Sequence, residues 1–192
     1  MRKSGTRGLW LVSQGRLANS ARALRSEWAR RWYVYISLGL IWSLACIRLL
    51  IDPTPRVPLL FNWTPSLPYT VGWLERGRFD YKRGEFVLFS FAGSAVEDYP
   101  GLKGQPFFKV VRGVPGDHVS VHGREVYVNG ELVGVAKTHT IDGRRLEPIA
   151  EMVIPAGQFY VQGTDVNSFD SRYRSSGLVR GDQIIGRVTP LL

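Results

Sequence analysis

Lys109 stands where a charged residue is least expected. In GQPFFKVVRGVPGD (104–117) it is flanked by Phe107, Phe108, Val110 and Val111. Strand alternation sets Phe107, Lys109 and Val111 on one face, and Phe108 and Val110 on the other. An ammonium enclosed by apolar groups loses hydration, and its pKa falls by up to roughly 3–5 when burial is complete. A neutral amine near pH 7 accepts protons and can act as a general base. A lysine in a strand can also simply guard an edge against aggregation. The local composition leaves both roles open.

A base needs a nucleophile. FNWTPSLPYTVGW (61–73) offers Thr64, Ser66 and Thr70 around Pro65 and Pro68. Proline fixes its own φ and restricts the residue before it, so Ser66 sits in a stiff loop. Read alone, such a serine is a turn residue. Other chemistries lack their parts: the chain has neither G-x-x-x-x-G-K-[ST] nor a G-x-G-x-x-G between strand and helix. His118, His122 and His139 are the three histidines, read as surface or hairpin positions, and leave a Ser-His-Asp triad little to recruit. Cys46, the one cysteine, lies in an apolar stretch and reads as a small hydrophobe. No metal site and no cofactor are expected.

The elements that must hold these residues are strands. GEFVLFSF (84–91), PFFKVV (106–111), DHVSV (117–121), REVYV (124–128), ELVGVA (131–136), QFYVQG (158–163) and DQIIGRV (182–188) are short apolar runs between turn residues. Asn129-Gly130 is a two-residue hairpin signal. No stretch beyond residue 58 shows twelve residues of helical periodicity. A twisted, partly closed antiparallel β domain is expected over 52–192.

The net charge of +9 is concentrated upstream of that domain. Residues 1–31 carry eight Lys or Arg and one acid, whereas the remaining 161 carry 17 basic and 15 acidic groups. From 32 to 51 runs WYVYISLGLIWSLACIRLLI, broken only by Arg48 near its end. Twenty helical residues cover about 30 Å, one hydrocarbon core, and a terminal arginine can snorkel. The basic flank predicts a cytoplasmic segment at 1–31, a transmembrane helix at 32–51 and an extracytoplasmic domain at 52–192. No small-x-small cleavage pattern precedes the prolines that follow, so the segment reads as an uncleaved anchor in the cytoplasmic (inner) membrane. Membrane lipid therefore accounts for the basic excess, and nucleic acid is not an expected partner. Leu59, Leu60, Phe61, Trp63, Leu67, Trp73 and Leu74 either dip into the bilayer surface or pack a core.

Four blocks, NWTPSLPYTVGW (62–73), RGEFVLFSF (83–91), FFKVVRGVPGDHV (107–119) and VQGTDVNSFDSRY (161–173), occur in this order behind the apolar segment. In this the chain resembles the type I signal peptidases, membrane-bound Ser/Lys proteases. It is most similar to their short TraF-type branch, which processes pilin for conjugative transfer. The resemblance implies a signal-peptidase-like, mainly β fold on a single N-terminal transmembrane helix. It further implies Ser66 as nucleophile, Lys109 as general base, Thr64 as an oxyanion donor beside the Ser66 N–H, and Ser168 as the group orienting the amine. Asp170 and Arg172 match the pair that supports this region, and Gly113, Pro115, Gly116 and Asp117 match the turn after the lysine strand. The implied substrate is an exported precursor with small residues before the cut, a propilin being the candidate, met on the periplasmic face.

Departures from the housekeeping pattern are local. Ser66 is followed by Leu67-Pro68 rather than methionine, and Gly163-Thr164-Asp165-Val166 lacks the usual arginine. Residues 120–160, 41 in all, separate the last two blocks, too few for a large second domain. A general signal peptidase, or an inactive component of a secretion apparatus that kept the fold, are the competing expectations.

Overall fold

The computed structural model describes residues 31–47, 57–62, 64 and 66–192. The chain divides into two compact units, Met1–Asp52 and Pro53–Leu192. In the first, residues 31–47 form a helix, α1, whose residues are all exposed. Its apolar side chains show on every side, as with Ile41 and Trp42, and Ser37 Oγ donates to the Tyr33 carbonyl at 2.8 Å. Seventeen residues rise about 26 Å, short of a roughly 30 Å hydrocarbon core. Among the described residues no helix is long and apolar enough to cross a membrane. Positions 48–51 of the expected span, and 1–30 of the basic segment, lie outside the described residues.

The second unit is built from two antiparallel sheets. The larger has the order β1-β2-β11-β3-β4-β9-β10, and the smaller β7-β6-β5-β8. The large sheet comprises β1 (Leu59–Phe61), β2 (Val71–Arg76), β3 (Phe86–Ser90), β4 (Pro106–Gly113), β9 (Gln158–Gln162), β10 (Val179–Arg180) and β11 (Ile184–Pro190). The small one comprises β5 (His118–His122), β6 (Glu125–Val128), β7 (Glu131–Val135) and β8 (Met152–Val153). All seven strands expected from the sequence are present. Helix beyond residue 58 is confined, among the described residues, to α2 (Ala95–Asp98) and two three-residue 3₁₀ turns.

Both faces of the large sheet are covered, which explains why β3 and β4 read as continuous apolar runs. Val87 and Phe89 of β3 join Val111, Phe159, Val161 and Ile184 in one core. Leu88, between them in sequence, points the other way and packs with Leu60, Leu67, Leu74, Phe108 and Val188. Fully burying one such side chain stabilises the fold by about 1.5–3 kcal/mol. A third core joins the sheets, with Val119, Val126 and Val128 packing on Tyr160 of β9.

The hydrophobic segment around β1 and β2 splits by alternation. Leu60, Leu67 and Leu74 are buried, whereas Leu59, Phe61 and Trp73 are exposed, Leu59 and Trp73 being cross-strand partners. Trp63 lies outside the described residues. Core packing therefore explains half the set, and an apolar rim remains.

The turn that leads from one sheet to the other is tied to a hairpin turn of the small sheet. At 114–117 the chain leaves β4 for the small sheet around Asp117, which accepts from Arg83 Nε at 2.7 Å, the Val114 N–H at 2.8 Å and Asn129 Nδ2 at 3.0 Å. Bonding from Arg83 is the main reason its carboxyl is held below the usual carboxylate range. The same Asn129, with φ 51°, and Gly130, with φ 80°, form the β6–β7 hairpin turn that the Asn-Gly pair predicts.

Candidate active site

The loop from Asn62 to Thr70 joins β1 to β2, and the Asn62 side chain organises it. Asn62 Nδ2 donates to the Leu67 and Tyr69 carbonyls at 3.3 and 2.9 Å. Its Oδ1 accepts from the Thr64 N–H at 3.2 Å and the Thr64 hydroxyl at 2.8 Å. Asn62 carried no role in the sequence reading. An Asn two residues before a Thr, in a proline-rich loop, is the Asx-turn signal that could have found it.

Thr64 Oγ1 lies 2.9 Å from Ser66 Oγ. Because the single Thr64 hydroxyl proton is committed to Asn62, this second bond runs from Ser66 to Thr64. Ser66 is buried, and its carbonyl accepts from the Thr164 N–H at 2.9 Å. That contact locks the loop against the 163–165 backbone. It needs a glycine at 163, where a Cβ would stand 2.7 Å from the Ser66 carbonyl oxygen and 2.2 Å from Ser168 Oγ.

Lys109 lies on β4 opposite Val87, with 5% of its surface exposed. Its Nζ donates to Ser168 Oγ at 2.7 Å and lies 5.8 Å from the centre of the Phe107 ring. Burial pushes the amine down from 10.5 to about 8; the charge of Asp170 opposes this fall and that of Arg172 adds to it. The nearest polar partner is thus a neutral hydroxyl, which does little to repay the ammonium for lost water.

Ser168 belongs to a loop held from behind. The Asp170 carboxylate takes Arg172 Nε and Nη2 at 2.8 and 2.9 Å and the Gly163 N–H at 2.9 Å. Arg172 Nη2 also donates to the carbonyls of Ser168 at 2.9 Å and Asp165 at 3.2 Å. The pair is almost wholly buried, at 3% and 0% side-chain exposure, so its desolvation must be offset by this full set of bonds.

Thr64, Ser66, Lys109 and Ser168 line one cleft of about 630 Å³, with Asp170 and Arg172 behind it. Its walls come from β1 at one end of the large sheet and from Pro106–Lys109 of β4 near the other. The sheet thus curls until its first strand faces its fifth. All six residues singled out in the sequence gather at this place. Among the described residues Ser66 and Lys109 share the cleft without a hydrogen bond between them, each bonding instead to its own hydroxyl partner. The arrangement offers a poorly solvated amine, a hydroxyl and an open apolar slot, the requirements of base-assisted acyl transfer.

The chain is similar to several known proteins. Over 143 residues the chain is 26% identical to the conjugal transfer protein TraF of Agrobacterium fabrum, covering 68% of this chain and 80% of that one. A crystal structure of a signal peptidase I from Enterococcus faecalis V583 aligns with 59% of this chain and 100% of its own, at 21% identity and a TM-score of 0.35. The family model for signal peptidase, peptidase S26, matches residues 30–192. That match takes in both the β domain and helix α1, and the chain belongs to the signal peptidase family, peptidase S26.

Proposed function

We propose that the chain is a membrane-anchored serine endopeptidase whose Ser66/Lys109 pair cleaves exported precursors, with a propilin of conjugative transfer as the substrate. The observation that carries this reading is a buried amine, lowered to about 8, sharing one cleft with a buried serine hydroxyl. Neutral Lys109 removes the Ser66 proton as Oγ attacks the scissile carbonyl. Expulsion of the amine product, with a proton from the lysine, leaves an acyl-enzyme. Water, deprotonated by the same amine, then releases the carboxylate product. Ser168, accepting one N–H, turns the amine lone pair toward the cleft.

Thr64 serves the oxyanion only after its hydroxyl lets go of Asn62. One such donor contributes about 10²–10³ in rate. The precursor lies extended along the cleft. On the side of β4 away from β3, strand pairing with β9 begins at Val110, so Pro106–Lys109 have no strand partner there among the described residues. β1 forms one end of the large sheet. A peptide added to the Pro106–Lys109 edge gains main-chain bonds.

The basic residues of 1–31 and the apolar run at 32–51 support an anchor with its N-terminus inside. The exposed Leu59, Phe61 and Trp73 support a domain resting on the outer bilayer surface. The similarity to a conjugal transfer protein supports a role in conjugative transfer.

The test is mass spectrometry of a propilin co-expressed with wild type, Ser66→Ala or Lys109→Ala. Processing should vanish in both variants; survival in either sinks the pair. Equal processing of a secreted-protein precursor would replace pilin specialisation with general signal peptidase activity.

A further inference from the structure

More than half of the residues lining the main cleft are apolar, and most of its polar groups already have partners. Thr64, Ser66, Lys109 and Ser168 bond to one another or to Asn62. Asn167 Oδ1 is taken by Lys137 Nζ. Asp165 differs: it is the one carboxylate among the described residues of the lining. Its Oδ1 accepts the Asn167 N–H at 2.6 Å. Among the described residues, no lysine or arginine pairs with either of its oxygens.

The backbone holds this acid close to the chemistry. The Asp165 N–H reaches the Ser66 carbonyl at 3.4 Å. The Asp165 carbonyl accepts from the Ser168 N–H at 3.1 Å and from Arg172 Nη2 at 3.2 Å. Asp165 is thus tied both to the residue read as nucleophile and to the one that aims the amine. Its charge is felt there, since it is among those that oppose the fall of the Lys109 amine. When Lys109 is neutral and ready to act, Asp165 is the remaining charge in the lining. A half-buried carboxylate beside apolar walls has lost part of its water, and a cation with N–H donors repays that loss.

We infer that Asp165 is a specificity-determining residue, pairing with a lysine or arginine side chain of the precursor a few residues from the scissile bond. The alkyl stem of that side chain lies along the apolar wall while its head meets the carboxylate. An acidic residue at the same place is repelled. The inference rests on the reading of the main cleft as the peptide site, and adds a charge requirement that apolar walls alone do not impose.

The probe is a set of quenched-fluorescent decapeptides, blocked at both ends, with alanine at two alternate positions and Lys, Gln or Glu scanned through each other position. Full-length enzyme in detergent is assayed as wild type, Asp165→Asn and Asp165→Lys. The asparagine keeps an acceptor for the Asn167 N–H and removes the charge. At one position near the cut, wild type should favour Lys over Glu by about tenfold or more in kcat/KM. One well-placed ion pair gives up to about fivefold, and repulsion of the glutamate supplies the rest. The Lys-to-Glu ratio should fall to about twofold or less in Asp165→Asn and invert in Asp165→Lys. Both peptides meet the same enzyme, so loss of folded protein cancels from the ratio. Equal cleavage of Lys and Glu peptides at every position overturns the inference. So does a preference of one size at all positions, which the overall charge would produce, or one that Asp165→Asn leaves intact. Failure of wild type to cut any peptide overturns instead the reading of the main cleft, and the role of Asp165 with it.

Discussion

Two buried cations stand on either side of Ser168, and the fold treats them in opposite ways. Arg172, in the 163–173 loop, is met by both oxygens of Asp170 and by backbone carbonyls. Lys109, on β4, is met by one neutral hydroxyl and an aromatic ring. The first loses water and receives equivalent partners, so its charge becomes a fastener. The second receives almost none, so its charge becomes easy to shed. A guanidinium cannot lose its proton near neutrality, which suits the fastener, and an ammonium can, which suits a base. The difference between two positive side chains is one of partners, not of depth.

Removing the charge from each should therefore have opposite results. The largest effect expected is on turnover. Lys109→Met should lower kcat/KM by about 10³ or more, since a positioned base alone contributes about 10²–10⁴. Next comes Arg172→Met, which strands the Asp170 carboxylate in the interior and should destabilise the domain by about 3–5 kcal/mol in urea unfolding. Lys109→Met should do the reverse to stability. A folded-state value of about 8 against 10.5 amounts to about 3 kcal/mol lost at pH 7, much of which a methionine of similar shape restores. If both methionine variants destabilise equally, the contrast fails.

The pH dependence sharpens the same comparison. Below about pH 8 the Lys109 amine is protonated, so log kcat/KM should fall by one for each pH unit and level off above that value. Stability carries the matching sign. Between about 8 and 10.5 the unfolded chain holds the lysine proton and the folded one does not, so this group makes unfolding harder as pH rises through that window. Lys109→Met should flatten both profiles. The smallest effect is that of Ser168→Ala, which removes the amine's acceptor but leaves the Arg172 contact, made to the Ser168 carbonyl, in place. It should lower kcat about tenfold with KM nearly unchanged, because a hydrogen bond that only aims a group contributes about 1 kcal/mol.

Much of this architecture was legible before the structure. The seven expected strands are runs of β-branched and aromatic residues between glycines and aspartates, and the Asn129-Gly130 turn has the backbone that pair favours. The misses have physical reasons. β1 and β2 lie beside a proline-rich loop and carry Gly72 in a strand interior, so their propensity is low and tertiary pairing decides. β8 and β10 are two residues each, too short for any period to show. At the site, only Lys109 is conspicuous from its own neighbours, a cation among phenylalanines and valines. Ser66, Ser168, Asp170 and Arg172 became visible through motif order, because nothing in a sequence announces that residues 66 and 168 meet. Asn62 was missed because its work is local hydrogen bonding, which leaves hydropathy untouched.

The contact between the Ser66 carbonyl and the Thr164 amide joins residues 98 apart. If the domain is threaded outward N-terminus first, the hydroxyl clears the membrane long before the segment that seats it. A half-emerged chain would then carry every atom of a nucleophile and no means of aiming it. On the proposed Ser66/Lys109 reading, cutting power would arrive late, with the final third of the polypeptide.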